Sequence, residues 1–64
     1  MRVLKVTKAQ FKYWRISDYY LCYACSSPLK ENAVQVFYNN MNLTICEDEM
    51  CLNVVILKKD DIFK

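Results

Sequence analysis

The chain has 64 residues and a formal net charge of +2, and it contains four cysteines but neither histidine nor glycine. A chain this short forms one domain and buries only about 60% of the surface that its unfolded form exposes, so we expect a disulfide, a metal or a partner to stabilise it. Without histidine the chain lacks a side chain that ordinarily titrates near neutral pH, and we therefore do not expect an enzyme.

The N-terminal third of the chain is predicted to be extended. Residues 3–7 are typical of a short strand, and residues 11–23 are rich in aromatic and β-branched side chains, which favours a second strand. A helix is the alternative, because Thr7 and Gln10 fit a capping box. The same stretch contains a helical stripe formed by Ala9, Tyr13, Ile16 and Tyr20. Of the two, we expect the strand.

A β-hairpin is predicted in the middle of the chain. Residues 33–38 and 41–45 alternate apolar and polar side chains on either side of Asn39 and Asn40. Asparagine tolerates positive φ, so this pair can form a two-residue turn in a chain without glycine. The hairpin would bring Cys46 back towards Cys22 and Cys25, and a turn at residues 26–28, which contains Pro28, is predicted directly after that first pair.

A helix is predicted after the hairpin. Three carboxylates at residues 47–49 precede an apolar stretch, and Lys58 and Lys59 follow it. Negative charge at the start and positive charge at the end suit the helix dipole. By propensity alone, residues 53–57 would favour a strand. Asp60 and Asp61 are expected to end the helix. The predicted face against the hairpin consists of Met50, Val54 and Leu57.

The four cysteines form two close pairs separated by twenty residues. Cys22 and Cys25 enclose two residues, Cys46 and Cys51 enclose four, and such pairs are typical of one tetrahedral zinc site. Positions five apart lie about 140° apart around a helix, so Cys46 must precede the helix while Cys51 can lie in its first turn. We expect one structural Zn²⁺ per chain, with two disulfides or four buried thiols as the alternatives.

A cysteine knuckle, a hairpin and a helix with the last ligand in its first turn resemble the treble-clef zinc finger. The spacing from Cys22 to Cys51 is most similar to the TRASH, MYM and FCS group. This chain has Ile45 where that group has an aromatic residue and Ser26 where a glycine is common. The resemblance, which covers residues 22 to about 57, implies a small α+β zinc-binding domain and a non-enzymatic role in protein or nucleic-acid assemblies. The β segment predicted from the N-terminal residues precedes this domain core.

The basic and aromatic segment at residues 1–21 is the candidate partner-binding region, and residues 22–59 form the zinc-finger core of a single domain spanning residues 1–64. Large aromatic side chains and arginine anchor many protein interfaces. The expected contact residues are Lys8, Phe11, Lys12, Tyr13, Trp14, Arg15, Tyr19 and Tyr20. We expect an adaptor or regulator that binds another protein. The uneven distribution of charge along the chain could also support antiparallel self-association.

Direct nucleic-acid binding through residues 5–15 is the alternative function, because cations there interleave with aromatic rings. Residues 1–30 carry six cations against Asp18, whereas residues 31–64 carry three against six carboxylates. Four thiolates on a divalent metal would remove most of the net basicity, which weakens long-range attraction to phosphate. Neither a secretory signal nor a membrane span is evident, so we expect an intracellular protein.

Overall fold

A computed structural model describes residues 1–17 and 19–64 and has a small α+β fold. Within these residues, a three-stranded antiparallel sheet is followed along the chain by two short α-helices. The strands are β1 (Arg2–Thr7), β2 (Asn32–Tyr38) and β3 (Met41–Cys46), in the spatial order β1-β2-β3. The helices are α1 (Glu49–Leu57) and α2 (Lys59–Ile62).

The predicted hairpin and the predicted N-terminal strand are both confirmed. Asn39 and Asn40 adopt φ values of 51° and 63°, which are the left-handed conformations that a type I′ turn requires, and Tyr38 pairs with Met41 across the turn. On the other side of β2, β1 pairs in the register Lys5 opposite Val34. Strand β2 is therefore central, and it carries the buried run from Ala33 to Val36.

The two faces of the sheet are covered by different parts of the chain. Side chains alternate along β2, so Phe37 lies on one face and Tyr38 on the other. Trp14 packs on Phe37 with ring centroids 6.1 Å apart, whereas Phe63 packs edge-on against Tyr38 at 5.8 Å. The segment around Trp14 thus covers the first face, and the C-terminal residues cover the second.

One hydrophobic core joins these layers. Its buried members are Val6, Phe11, Ile16, Cys22, Leu29, Ala33, Val34, Val36, Ile45, Cys51, Val55 and Phe63.

The strand predicted over residues 11–23 is wrong where the structure describes it, and Asp18 of that range lies outside the described residues. A single 3-10 turn (Lys8–Gln10) follows β1, and the Thr7 backbone N–H donates to Gln10 Oε1 at 2.9 Å, as in the capping-box alternative. The 3-10 turn ends at Gln10, and the alternative of a helix running to Tyr20 is interrupted at Arg15, whose φ of 58° is not helical. The backbone bonds locally instead, with the Ile16 N–H donating to the Phe11 carbonyl at 2.7 Å.

Helix α1 begins as predicted, but the side of the helix that faces the core is not the predicted one. Asp48 is the N-cap, and its carboxylate accepts a hydrogen bond from the Met50 N–H at 2.9 Å. The predicted inner face of Met50, Val54 and Leu57 is exposed, while Cys51 and Val55 are buried. The position of Cys51 fixes the rotation of the helix, because its sulfur must point to the other cysteines.

The predicted helix end at Asp60 and Asp61 is also wrong. Helix α1 ends at Leu57, and both aspartates lie within α2, where they occupy the first turn. Negative charge is favourable at that position because of the partial positive charge at a helix N-terminus.

A hydrogen bond between Tyr38 and Asp60 joins the hairpin to α2. The Tyr38 hydroxyl donates to Asp60 Oδ1 at 3.0 Å, and this bond together with the carboxylate charge raises the pKa of Tyr38. The bond therefore stabilises the fold below the ordinary tyrosine pKa of about 10, and this contribution is lost as the pH rises through the folded-state pKa. We expect Asp60→Asn to lower the Tyr38 pKa, as measured by NMR titration of ¹³Cζ-labelled tyrosine.

Asp61→Asn is the matched control, because Asp61 lies in the same turn of α2 whereas the Tyr38 hydroxyl bonds to Asp60. It should leave the Tyr38 titration unchanged. An unchanged Tyr38 titration in Asp60→Asn would mean that the bond does not persist in solution.

Candidate metal centre

The first cysteine pair lies in a tight loop that is anchored to the sheet. The Ser26 N–H donates to the Cys22 carbonyl at 2.9 Å, and the Cys22 N–H donates to the Ser27 carbonyl at 2.8 Å. The Tyr23 N–H also donates to the Thr44 carbonyl of β3 at 3.2 Å. These bonds place the loop beside the strand that ends in Cys46.

The second pair joins β3 to α1. Cys46 is the last residue of β3, and Cys51 is the third residue of α1, as the spacing predicts. The Asp48 carbonyl accepts hydrogen bonds from the Cys51 N–H at 3.1 Å and the Leu52 N–H at 3.3 Å. Asp48 thus fixes the direction of the helix at the point where Cys51 joins the cluster.

All four sulfurs converge on one point. The Sγ atoms lie within 4.8 Å of one another, with 3.8 Å between Cys25 and Cys46 and 3.4 Å between Cys46 and Cys51. A tetrahedral ion with metal–sulfur bonds of about 2.3 Å separates its ligands by about 3.8 Å. Four free thiols at these distances can hold one metal ion.

Cys25, Cys46 and Cys51 differ in hydrogen bonding and burial, and therefore in the direction of their pKa shifts. Hydrogen bonds from the Ser27 side chain and backbone lower the pKa of the exposed Cys25 to about 6. Burial raises the pKa of Cys46 and of Cys51, because a thiolate loses hydration there. A bound metal cation would offset this cost, because a nearby positive charge favours the thiolate form.

Ser26 adopts a conformation that suits glycine. Its φ is 60°, directly after Cys25, and a residue with a Cβ atom is disfavoured in this region by about 1 kcal/mol. We expect Ser26→Gly to stabilise the metal-loaded protein. Relief of the unfavourable conformation contributes about 0.5–1 kcal/mol, and the greater entropy that glycine gives the unfolded chain subtracts from this gain. Denaturant unfolding measures this change.

Ser26→Ala is the matched control, because it removes the same exposed hydroxyl but keeps the Cβ atom that disfavours this conformation. It should not stabilise the protein. Equal effects of the two substitutions would show that the conformation of Ser26 is not strained.

The expected partner-binding residues are divided between surface and interior. Phe11 is buried in the core and therefore cannot contact a partner, which corrects its assignment, and Trp14 is half-buried against Phe37. Tyr13 and Tyr19 are 81% and 91% exposed, and Tyr20 is also exposed. The cations Lys8, Lys12 and Arg15 are exposed as well.

An open cavity of about 600 Å³ lies between the aromatic segment and the first face of the sheet. Its lining includes the rings of Trp14, Tyr20 and Tyr23 and the side chain of Arg15. Gln35, only 2% exposed, also lines it and donates through Nε2 to Thr44 Oγ1 at 2.7 Å. The cavity therefore combines aromatic planes, one cation and a buried amide.

Sequence reasoning missed several residues that shape these sites. Ser27 was placed only in a turn, yet it hydrogen bonds to Cys25. Asp48 was treated as one of three acidic residues, although an aspartate directly before an apolar helical run is itself an N-cap signal. Leu21 and Tyr23 extend the exposed apolar surface beyond the predicted set. Their exposure depends on the fold of the knuckle, for which the sequence carries no signal.

No protein-family model matches the chain, and no curated protein or solved structure is significantly similar to it. In residues 1–17 and 19–64, no helix has the length and apolar character that a membrane span requires.

Proposed function

We propose that this chain is a non-enzymatic adaptor, stabilised by one structural Zn²⁺ on Cys22, Cys25, Cys46 and Cys51. It binds another protein through the exposed side chains of Tyr13, Tyr19 and Tyr20, which we call the tyrosine-rich surface. The convergence of four sulfurs within 4.8 Å carries the metal part of the proposal. Thiolates are soft ligands, and a tetrahedral set of four favours zinc or iron. Four protein ligands leave no position for water or substrate, so the role of the ion is structural.

The finer architecture that we propose is a treble clef. The knuckle at Cys22 and Cys25, the β2–β3 hairpin and the first turn of α1 follow one another in the order that this fold requires. The left-handed Ser26 supports the proposal, because it occupies the position where related knuckles often have glycine.

Native mass spectrometry tests the metal. We expect one zinc ion per chain at neutral pH and its loss in acid, because protons compete with the metal for thiolates. A folded protein that is free of metal and lighter by the hydrogens lost in two disulfides would refute the zinc site.

The adaptor role is supported by the aromatic surface. Tyr13 and Tyr19 are almost fully exposed, and Tyr13 also packs edge-on against Trp14 with a centroid distance of 5.3 Å. Tyrosine and tryptophan are enriched in interfaces because they supply a large rigid surface at low entropic cost. Exposing several such rings on a small domain is typical of a binding surface.

Affinity purification with the zinc-loaded domain tests the adaptor role. We expect a stoichiometric protein partner that Tyr13→Ala and Tyr19→Ala together release. Met50→Ala is the control, because Met50 is exposed on α1 and contributes nothing to the tyrosine-rich surface. Equal recovery of the partner with the double variant would contradict a role for these tyrosines.

Direct binding of single-stranded nucleic acid is the second candidate, and the 600 Å³ cavity favours it. Its rings could stack on an unpaired base while Arg15 contacts a phosphate. Trp14 is the single tryptophan of the chain, so quenching of its fluorescence by an oligonucleotide reports binding at the cavity.

Arg15→Gln should reduce the salt dependence of this binding by about 0.7 in the log–log slope, the value for one phosphate contact on a single strand, because Arg15 is the cation that lines the cavity. Lys64→Gln, which lies outside residues 5–15, should leave the slope unchanged. Failure of oligonucleotides to quench Trp14 at low salt would exclude this site.

A further inference from the structure

The four cysteines of the candidate metal centre are not equally accessible. Cys22 and Cys51 are 2% and 5% exposed, whereas Cys46 is half-buried and Cys25 is exposed. The nucleophile in cysteine chemistry is the thiolate, and a thiol that ligates a cation has already lost its proton. Exposure therefore decides which sulfur of the metal-loaded site a reagent in solution reaches first.

A cavity of about 390 Å³ opens beside the candidate metal centre. Of the four cysteines, Cys25 and Cys46 line this cavity, and their sulfurs lie 3.8 Å apart. The Cys46 sulfur lies nearer to that of Cys51, at 3.4 Å, but Cys51 is buried and does not meet the reagent. A small molecule that enters the cavity thus reaches Cys25, and Cys46 is the adjacent accessible sulfur.

We propose that Cys25 is a modification site, at which a small hydroperoxide oxidises the metal-loaded protein, and that Cys46 then forms a disulfide with Cys25. This reaction rests on the zinc site proposed above and is independent of the tyrosine-rich surface. It gives the structural site a second property, which is loss of the metal under oxidising conditions.

The reaction has two balanced steps. The Cys25 thiolate attacks one oxygen of the peroxide, so that an S–O bond forms, the O–O bond breaks and hydroxide leaves. The sulfur, now the sulfenic acid Cys25–SOH, is oxidised by two electrons, which the peroxide gains. The Cys46 thiolate then attacks the Cys25 sulfur, so that an S–S bond forms, the S–O bond breaks and a second hydroxide leaves.

The side chains around the cavity suit an uncharged oxidant. Two carboxylates, those of Glu47 and Asp48, line it together with one ammonium group, that of Lys30. The excess of negative charge disfavours anionic reagents, whereas hydrogen peroxide is neutral. Lys30 and Asn32, which also lines the cavity, supply N–H donors for the hydroxide that leaves.

The disulfide leaves Cys22 and Cys51 as the remaining thiolates of the site. Two sulfurs cannot complete a tetrahedral set, so we expect the chain to release the ion. The disulfide would hold the knuckle to the end of β3, whereas Cys51 of α1 would lose its link to the knuckle.

Disulfide mapping by mass spectrometry, after the zinc-loaded protein is treated with an equimolar amount of hydrogen peroxide, tests the pairing. Native mass spectrometry first verifies the bound zinc, and a zinc-responsive dye follows its release. We expect zinc release to accompany formation of the Cys25–Cys46 disulfide, and a Cys46–Cys51 or Cys22–Cys25 disulfide would overturn the assignment. A protein without zinc before oxidation would refute the zinc site and this inference together, whereas zinc that stays bound would refute this inference alone.

Two histidine variants test the separate roles of the cysteines. Cys25→His removes the attacking sulfur but keeps four metal ligands, because imidazole also binds Zn²⁺, and the exposed position has room for the ring. Peroxide should release zinc from this variant about tenfold or more slowly. In the matched variant Cys46→His, Cys25 is still oxidised, so dimedone present during the reaction should label Cys25.

Native mass spectrometry verifies that both variants bind zinc, and the disulfide mapping in the unmodified protein needs neither of them. Release from Cys25→His at the rate of the unmodified protein would show that Cys25 is not the attacking thiolate. Dimedone on Cys22 or Cys51 in place of Cys25 would overturn the order of the two steps.

Discussion

Cys46→Ser is expected to unfold the domain at room temperature, even with zinc in excess. The Cys46 sulfur lies 3.8 Å from that of Cys25 and 3.4 Å from that of Cys51, so it bridges the knuckle and the helix. Structural zinc sites in small fingers contribute apparent binding free energies of about 10–16 kcal/mol, whereas apolar burial in a 64-residue core roughly balances the conformational entropy that folding costs. Loss of one ligand therefore removes the main source of stability.

Circular dichroism during thermal unfolding measures this effect, and treatment of the unmodified protein with a chelator should reproduce it. Met41→Ser is the matched control, because Met41 is exposed at the opposite end of the same strand. It should retain a cooperative transition. Unchanged melting of Cys46→Ser, or of the chelated protein, would mean that the four cysteines do not hold a metal that stabilises the fold.

Phe63→Ala is expected to produce the second large effect, a loss of about 3–5 kcal/mol of unfolding free energy in the metal-loaded protein. Phe63 is 1% exposed and packs against the Tyr38 ring. Its carbonyl accepts a hydrogen bond from Asn39 Nδ2 at 3.1 Å, which joins the C-terminal residues to the hairpin turn. Truncating the ring leaves a cavity on the second face of the sheet.

Denaturant unfolding in the presence of zinc measures the loss for Phe63→Ala. Phe63→Leu, which preserves most of the volume, should cost less. Lys64→Ala changes an exposed neighbour and should have almost no effect. Equal stabilities of Phe63→Ala and Lys64→Ala would contradict the docking of this ring.

The predictions that the structure confirms depend on signals from residues that are close together in the sequence. Asn39 and Asn40 determine their turn by their own tolerance of positive φ, and the Cys46–Cys51 spacing restricts where α1 can begin. The stretch at residues 11–20 has no such restriction, because its residue types favour a strand, whereas among its described residues the tertiary contacts bury Phe11 and Ile16 and leave Tyr13 and Tyr19 exposed. Met50, Val54 and Leu57 of α1 were also assigned to the side facing the hairpin, since an apolar helix has no polar face to indicate its outer side.

The sequence by itself determined the four cysteines of the candidate metal site, the hairpin and the start of the helix that carries Cys51, because these depend on residue type and short spacing. Only the tertiary structure decided the rotation of α1, the burial of Phe63 and the pairing of β1 with β2. Each of these depends on contacts between residues distant in the chain, whose free energies no local pattern encodes. The candidate binding surfaces were also decided by the tertiary structure, because the exposed side chains are those that these long-range contacts do not cover.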